Sequence, residues 1–165
     1  MADLRLALLS FTLGGCFLFE EPEPPPQQPR PDAMPAPPGT LEADEFDHTN
    51  QARVDNGLAP FSWSVQLAAV AEAHSQDMCD RDFFAHINPD GLTPFDRMHE
   101  AGLSFGFAAE NIAYGSPDAL VIHDGWMNSP GHRANILNGN LRQLGIGYVP
   151  CSGTKMHYWT QAFTD

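Results

Sequence analysis

Cationic residues are scarce in this sequence. Lys and Arg together number 8 against 21 Asp and Glu, which sets the formal net charge at -13 and the pI near 4.6. A chain so poor in cations cannot neutralise a run of phosphates, and nucleic acid is excluded as a partner. Long apolar runs are missing as well. Leu4 to Gly15 is apolar apart from Arg5, Ser10 and Thr12, but it falls short of the about 20 residues that cross a bilayer. Cysteine is limited to Cys16, Cys79 and Cys151. No internal repeat is visible, and no H-E-x-x-H pair announces a zinc peptidase. What remains is enough for one globular domain: 165 residues, 42% apolar, with eleven Phe and three Trp to fill a core.

The start of the chain reads as an address. A short apolar stretch with small residues at its end has the proportions of a secretory signal. Leu13-Gly14-Gly15-Cys16 resembles the lipobox of bacterial lipoproteins, which implies that Cys16 is acylated after cleavage. Residues 1–16 are therefore expected to be a lipoprotein-type signal peptide, and the protein to be exported and lipid-anchored at the bacterial cell envelope, or extracellular. Nine prolines between positions 22 and 38 preclude helix and sheet. Residues 17–40 read as an extended linker, able to hold a domain about 50 Å from a membrane at about 3.1 Å per residue.

The folded domain is expected over residues 41–165. An acidic first turn at Glu42 and Asp44 opens a helix that Gly57 stops. Phe61 to Ser64 reads as a connector, with Ser64 capping a second helix. In that helix Leu67, Val70, Ala71, His74 and Met78 share one face, so His74 reads as a core histidine before it reads as a ligand. An irregular loop from Asp80 to Gly91 follows, in which Phe83 and Phe84 would anchor to the core and present His86. A short helix is expected from Pro94 to Ala101, and a third substantial one from Pro117 to Asn128. Glu110 sits in an otherwise apolar run and must be paired, hydrogen-bonded or protonated. Ser129-Pro130-Gly131 breaks the chain and helix resumes at His132, whose imidazole can serve as base, acid or ligand. Segments 144–149 and 157–163 read as strands joined by a turn over Ser152-Gly153-Thr154. Helices early and strands late point to an α+β layered domain. With Cys16 given to lipid, Cys79 and Cys151 form an even pair suited to a disulfide in an oxidising compartment; two buried free thiols are the alternative.

Five motifs then occur in order: Phe84-Ala85-His86, Glu110-Asn111-Ile112-Ala113, Trp126 through Leu137, Gly145-Ile146-Gly147-Tyr148 and Tyr158 through Phe163. Together they resemble the CAP superfamily of cysteine-rich secretory proteins, antigen 5 and pathogenesis-related proteins. The resemblance implies a three-layer α-β-α sandwich with a central antiparallel sheet and an extracellular life. It also implies a cleft in which His86, Glu110 and His132 match family positions, while Ser129 stands where the second family glutamate usually falls. Two imidazoles and a carboxylate are suitable ligands for a divalent cation such as zinc. The expected role is a binding module for lipid, sterol or protein ligands. The alternative is a metal-assisted or serine-type hydrolase, a peptidase, using His132, Glu110 and His86, with Ser129 as a nucleophile. Ser129 is not set in a G-x-S-x-G elbow.

Overall fold

A computed structural model describes residues 35–152 and 156–165. The segment 1–16 with Cys16, most of the linker, and Gly153 and Thr154 of the hairpin turn lie outside the described residues. Thr40 starts the first helix by accepting a hydrogen bond from the Ala43 amide. This helix, α1 (Leu41–Asp55), ends as expected: Gly57 takes φ +72, and the amides of Gly57 and Leu58 close back onto the carbonyls of Val54 and Arg53. Ser64 caps α2 (Val65–Asp80). Thr93 and Asp96 form a reciprocal capping box on α3 (Pro94–Glu100).

Two helix boundaries differ from the sequence expectation. Asp118 rather than Pro117 begins the third long segment, so α4 is Ala119–Met127. Pro130 does not lie outside a helix; it occupies the first turn of α5 (Pro130–Ile136), with Ser129 as N-cap. Proline is favoured there because the first-turn amide would have no intrahelical partner. His132 thus enters in the middle of a short helix rather than at its start.

Four strands form one sheet in the order β1-β3-β4-β2. They are β1 (Ser62–Trp63), β2 (Ala108–Tyr114), β3 (Gln143–Cys151) and β4 (Met156–Thr164). The β2–β4 and β3–β4 pairings are antiparallel, and the predicted hairpin is β3–β4. What read as a connector contributes β1, a two-residue edge strand parallel to β3. Helices α1, α4 and α5 cover one face of the sheet and α2 with α3 the other.

Each face has its own core. Phe46, Trp63, Trp126, Ile146, Trp159 and Phe163 pack on the α1 side, joined by Ala36 from the proline-rich segment. Leu67, Val70, Ala71, Met98 and Ala162 pack on the α2 side. A fully buried Leu67 or Phe163 contributes about 1.5–3 kcal/mol. The α2 face is closed by contact rather than bulk. A Cβ on Gly145 would lie 2.0 Å from the Ala68 nitrogen, and one on Gly147 2.1 Å from the Glu72 nitrogen. Glycine alone lets the helix backbone rest directly on β3. Cys79 and Cys151 form a disulfide that ties the end of α2 to the end of β3.

Candidate functional site

Strand β2 is the margin of the sheet, and its register with β4 sends alternate residues to opposite layers. Glu110 points to the α2 layer and Asn111 to the α1 layer. The Glu110 side chain is only 1% exposed, so its charge has to be met within the protein. His86 Nδ1 donates to Oε1 at 2.8 Å, and Arg97 Nη2 donates to Oε2 at 2.7 Å. Arg97 is held in turn by the carbonyls of His86 and Leu92. His74 backs this group. Its Nε2 donates to the Ala85 carbonyl at 3.0 Å and stands 3.9 Å from Glu110 Oε1. Burial lowers the His74 pKa, although the Glu110 charge opposes the shift.

Asn111 assembles the other side. Its Nδ2 donates to the His132 carbonyl and to Gln161 Oε1, and its Oδ1 accepts from Asn135 Nδ2. Asn135 also reaches the Glu110 carbonyl, so α5 is stitched to the free margin of β2. The His132 ring is half-buried, and its pKa is lowered by burial and then by the nearby His86 ring. His86 is thus bonded to Glu110 directly, while His132 is tied to the same strand through its backbone carbonyl and Asn111.

The loop that carries His86 is less anchored than its two phenylalanines imply. Phe83 packs beside Met78 and Tyr158, but Phe84 is 44% exposed and meets Tyr114 edge-on at 4.6 Å, itself 48% exposed. The reason is geometric: successive side chains in this loop diverge, so only one can reach the core.

The donors do not suit a divalent ion as they stand. Both oxygens of Glu110 are engaged, one by a guanidinium that already supplies the neutralising charge. A metal would have to displace Arg97. Among the described residues no group of three or more His, Cys, Asp or Glu side chains could hold a metal ion. Nor is a serine nucleophile assembled. Ser129 makes no side-chain cap bond, and no hydrogen bond among the described residues joins it to His132. The letters G-x-S-x-G do occur at Gly102 to Gly106, but they lie between a helix and a strand, the reverse of the strand-to-helix elbow. What the arrangement offers is an oriented imidazole: with Nδ1 bonded to Glu110, Nε2 of His86 is left as an acceptor on a side chain 47% exposed.

Sequence reasoning missed Arg97 and left His74 in the core. Neither has a local signature, since one is a single arginine in a short helix and the other fits the apolar face of α2. Asn111 and Asn135 lie inside family motifs whose letters alone assign them no role.

The profile of the cysteine-rich secretory protein family, CAP, matches residues 46–163. The chain is 44% identical over 115 residues to the uncharacterized protein YkwD of Bacillus subtilis, covering 70% of this chain and 43% of that protein. A crystal structure of an extracellular protein containing an SCP domain from Bacillus anthracis aligns with TM-score 0.70 and 36% identity, covering 75% of this chain and 40% of that one. An outer surface protein of Borrelia burgdorferi shares the fold at TM-score 0.68 and 20% identity, over 73% of this chain and 88% of that one. The chain spans less than half the length of the curated relatives it matches. The family match over most of the domain, together with 44% identity to one relative over 70% of this chain, establishes that this chain belongs to the cysteine-rich secretory protein (CAP) family.

Proposed function

We propose that this chain is an exported binding module whose ligand, a lipid, a sterol or an extracellular protein segment, lies across the β2 margin. The observation that carries the reading is the state of Glu110. Its carboxylate is buried and held on both oxygens, so it acts as a brace that orients His86. Around that brace Phe84, Ile87 and Tyr114 remain between 44% and 55% exposed. Contiguous apolar surface beside oriented polar groups is what an amphipathic ligand recognises. Its nonpolar part would rest on Phe84 and Tyr114, and its polar group would meet His86 and His132. The extracellular Bacillus anthracis relative supports export. Attachment through acylated Cys16, at the tip of a proline-rich stalk, completes the reading.

The test uses the full exported chain, stripped of lipid and titrated with cholesterol and with palmitate. Binding of either that is lost in Phe84→Ser and Tyr114→Ser supports the lipid branch. Lipids that fail while an extracellular protein is crosslinked at Phe84 point to the protein branch. A second reading is hydrolysis, favoured by the Glu110–His86 pair, which orients an imidazole as a general base is oriented. Peptide turnover that disappears in both His86→Ala and His132→Ala would establish it in place of binding.

A further inference from the structure

On the α1 side of the sheet a chain of amide side chains crosses the interior. Asn135 Nδ2 donates to Asn111 Oδ1 at 2.8 Å, Asn111 Nδ2 to Gln161 Oε1 at 2.9 Å, and Gln161 Nε2 to Glu45 Oε1 at 3.0 Å. The Thr49 hydroxyl and His123 Nδ1 meet the same carboxylate oxygen at 2.8 and 3.1 Å. Glu45, Thr49, Asn111, His123 and Gln161 are all buried. Five elements therefore share one polar path: α1, α4, β4, β2 and α5.

Backbone fixes the direction of the path. The carbonyls of His132 and Glu110 can only accept, and they take Asn111 Nδ2 at 3.2 Å and Asn135 Nδ2 at 3.4 Å. Asn111 then has its nitrogen toward Gln161, and Gln161 has to donate onward. Every N–H along the path points toward Glu45, the acceptor at which it ends. Three donors surround Oε1, while Oε2 has no hydrogen-bond partner among the described residues, so a proton on Glu45 goes to Oε2. Such a proton breaks no bond outright; it removes the charge that the donors face. Hydrogen bonds to an ionised acceptor are about twice as strong as neutral ones, and bonds in series polarise one another. The contacts on Oε1 weaken first, and those of Asn111 and Asn135 behind them.

Helix α5 is the element placed to respond. It has 7 residues, buries only Ile136 and has no side-chain N-cap bond. Arg53 holds its far end through the Ile136 carbonyl at 2.7 Å, whereas the His132 turn is tied to the sheet through Asn111. The titratable groups facing Glu45 are His123 from α4 and, one turn along α1, His48, whose ring stands 5.7 Å from that of His123. From β4 comes neutral Gln161, and the β3 residues of this core, Leu144, Ile146 and Tyr148, carry no charge at neutral pH. Burial raises the Glu45 pKa, which brings its titration nearer the imidazole range.

We propose that the Glu45–His123 pair is a remote proton switch for the β2 margin, transmitted through Gln161 and Asn111 to α5 and the backbone of His132. Its use to the protein rests on the margin being a ligand site, but a titration without ligand tests it, so the two readings can fail separately. The experiment follows Asn135 Nδ2 and the His123 ring by ¹⁵N NMR of the intact chain, over the pH range in which it stays folded. Asn135 Nδ2 is expected to shift with the same midpoint as the His123 ring, which reports on the pair. The shift should persist in the double variant His86→Gln, His132→Gln, which removes the imidazoles of the margin. It should be lost in Glu45→Gln, which keeps an acceptor oxygen and takes up no proton. A flat Asn135 signal, a shift that vanishes in the double variant, or one that survives in folded Glu45→Gln would each overturn the proposal. Should Glu45→Gln not fold, the double variant decides alone: coincident midpoints support the switch and distinct ones overturn it.

Discussion

Arg97 and Glu110 form a buried ion pair, Nη2 to Oε2 at 2.7 Å, that locks α3 to the outermost strand of the sheet. Removing one partner of such a pair strands the other charge, which commonly costs about 3–5 kcal/mol. Arg97→Gln should therefore lower the unfolding free energy by about 3 kcal/mol in urea titrations. The double variant Arg97→Gln, Glu110→Gln should recover part of that loss. If the single variant loses less than about 0.5 kcal/mol, the pair is not the brace described above.

The same variant speaks to metal. With Arg97 gone, Oε2 of Glu110 is released and the histidines on either side are unchanged. Calorimetry should show zinc binding more tightly to Arg97→Gln than to the parent chain, and the gain should vanish when His86→Ala is added. Equal isotherms for parent and variant would show that the guanidinium is not what stands in the way of the ion.

Glu45 lies on the opposite side of the sheet and is wholly buried. Its Oε1 accepts from Thr49, Gln161 and His123 Nδ1, and its Oε2 has no hydrogen-bond partner among the described residues. Burial raises its pKa above the usual carboxyl value, despite the opposing His123 bond. A raised carboxyl pKa means that the native state holds the proton more tightly than the unfolded chain. The contribution is then fully present below the unfolded pKa and is lost as pH climbs through the folded one. Glu45→Gln mimics the protonated acid, so its stability relative to the parent should rise as pH climbs from the ordinary carboxyl range through the raised folded value. Parallel stability profiles for the two proteins would contradict this.

Reduction offers a separate check on the frame. The Cys79–Cys151 bridge spans 72 positions of sequence, and the chain-entropy model assigns such a loop about 4 kcal/mol. Thermal melts with dithiothreitol, or of Cys79→Ala with Cys151→Ala, should be markedly lower than those of the oxidised protein. Superimposable melts would show that the bridge constrains little.

Packing of α2 on β3 makes the sharpest structural prediction. Gly145→Ala and Gly147→Ala each drive a methyl into helix backbone at about 2 Å, an overlap that side-chain rotation cannot relieve. Each should cost at least about 3 kcal/mol. Gly125→Ala, where nothing lies within 4 Å, should be neutral or stabilising in the same assay.

Much of this frame was legible in the residues themselves. Caps and stops such as Ser64 and Gly57 are local, so α1 and α2 could be read from a few neighbouring letters. The aromatic strands of the hairpin were equally plain. Strand β1 was not, because two residues carry no periodicity and its partner lies about eighty positions away. Arg97 was hidden for a related reason. Its bond to Glu110 crosses a helix-to-strand connection, and a spacing of 13 residues between an arginine and a glutamate says nothing by itself. Of the motif histidines, His86 bonds Glu110 directly and His132 reaches the strand through its backbone, whereas the asparagines that hold α5 in place are visible as parts only in three dimensions.

Placing these groups on an outermost strand has a further effect. His74, His86, Arg97 and the backbone of His132 come from four different segments to the strand that, among the described residues, has no further neighbour. None of those segments pairs with β2 as a strand, so the register of β2 is set by β4, while α2 and α3 also pack in the core. Recognition and foldedness therefore overlap at Arg97, whose ion pair holds the fold as well as the margin, and selection cannot retune the one there without touching the other.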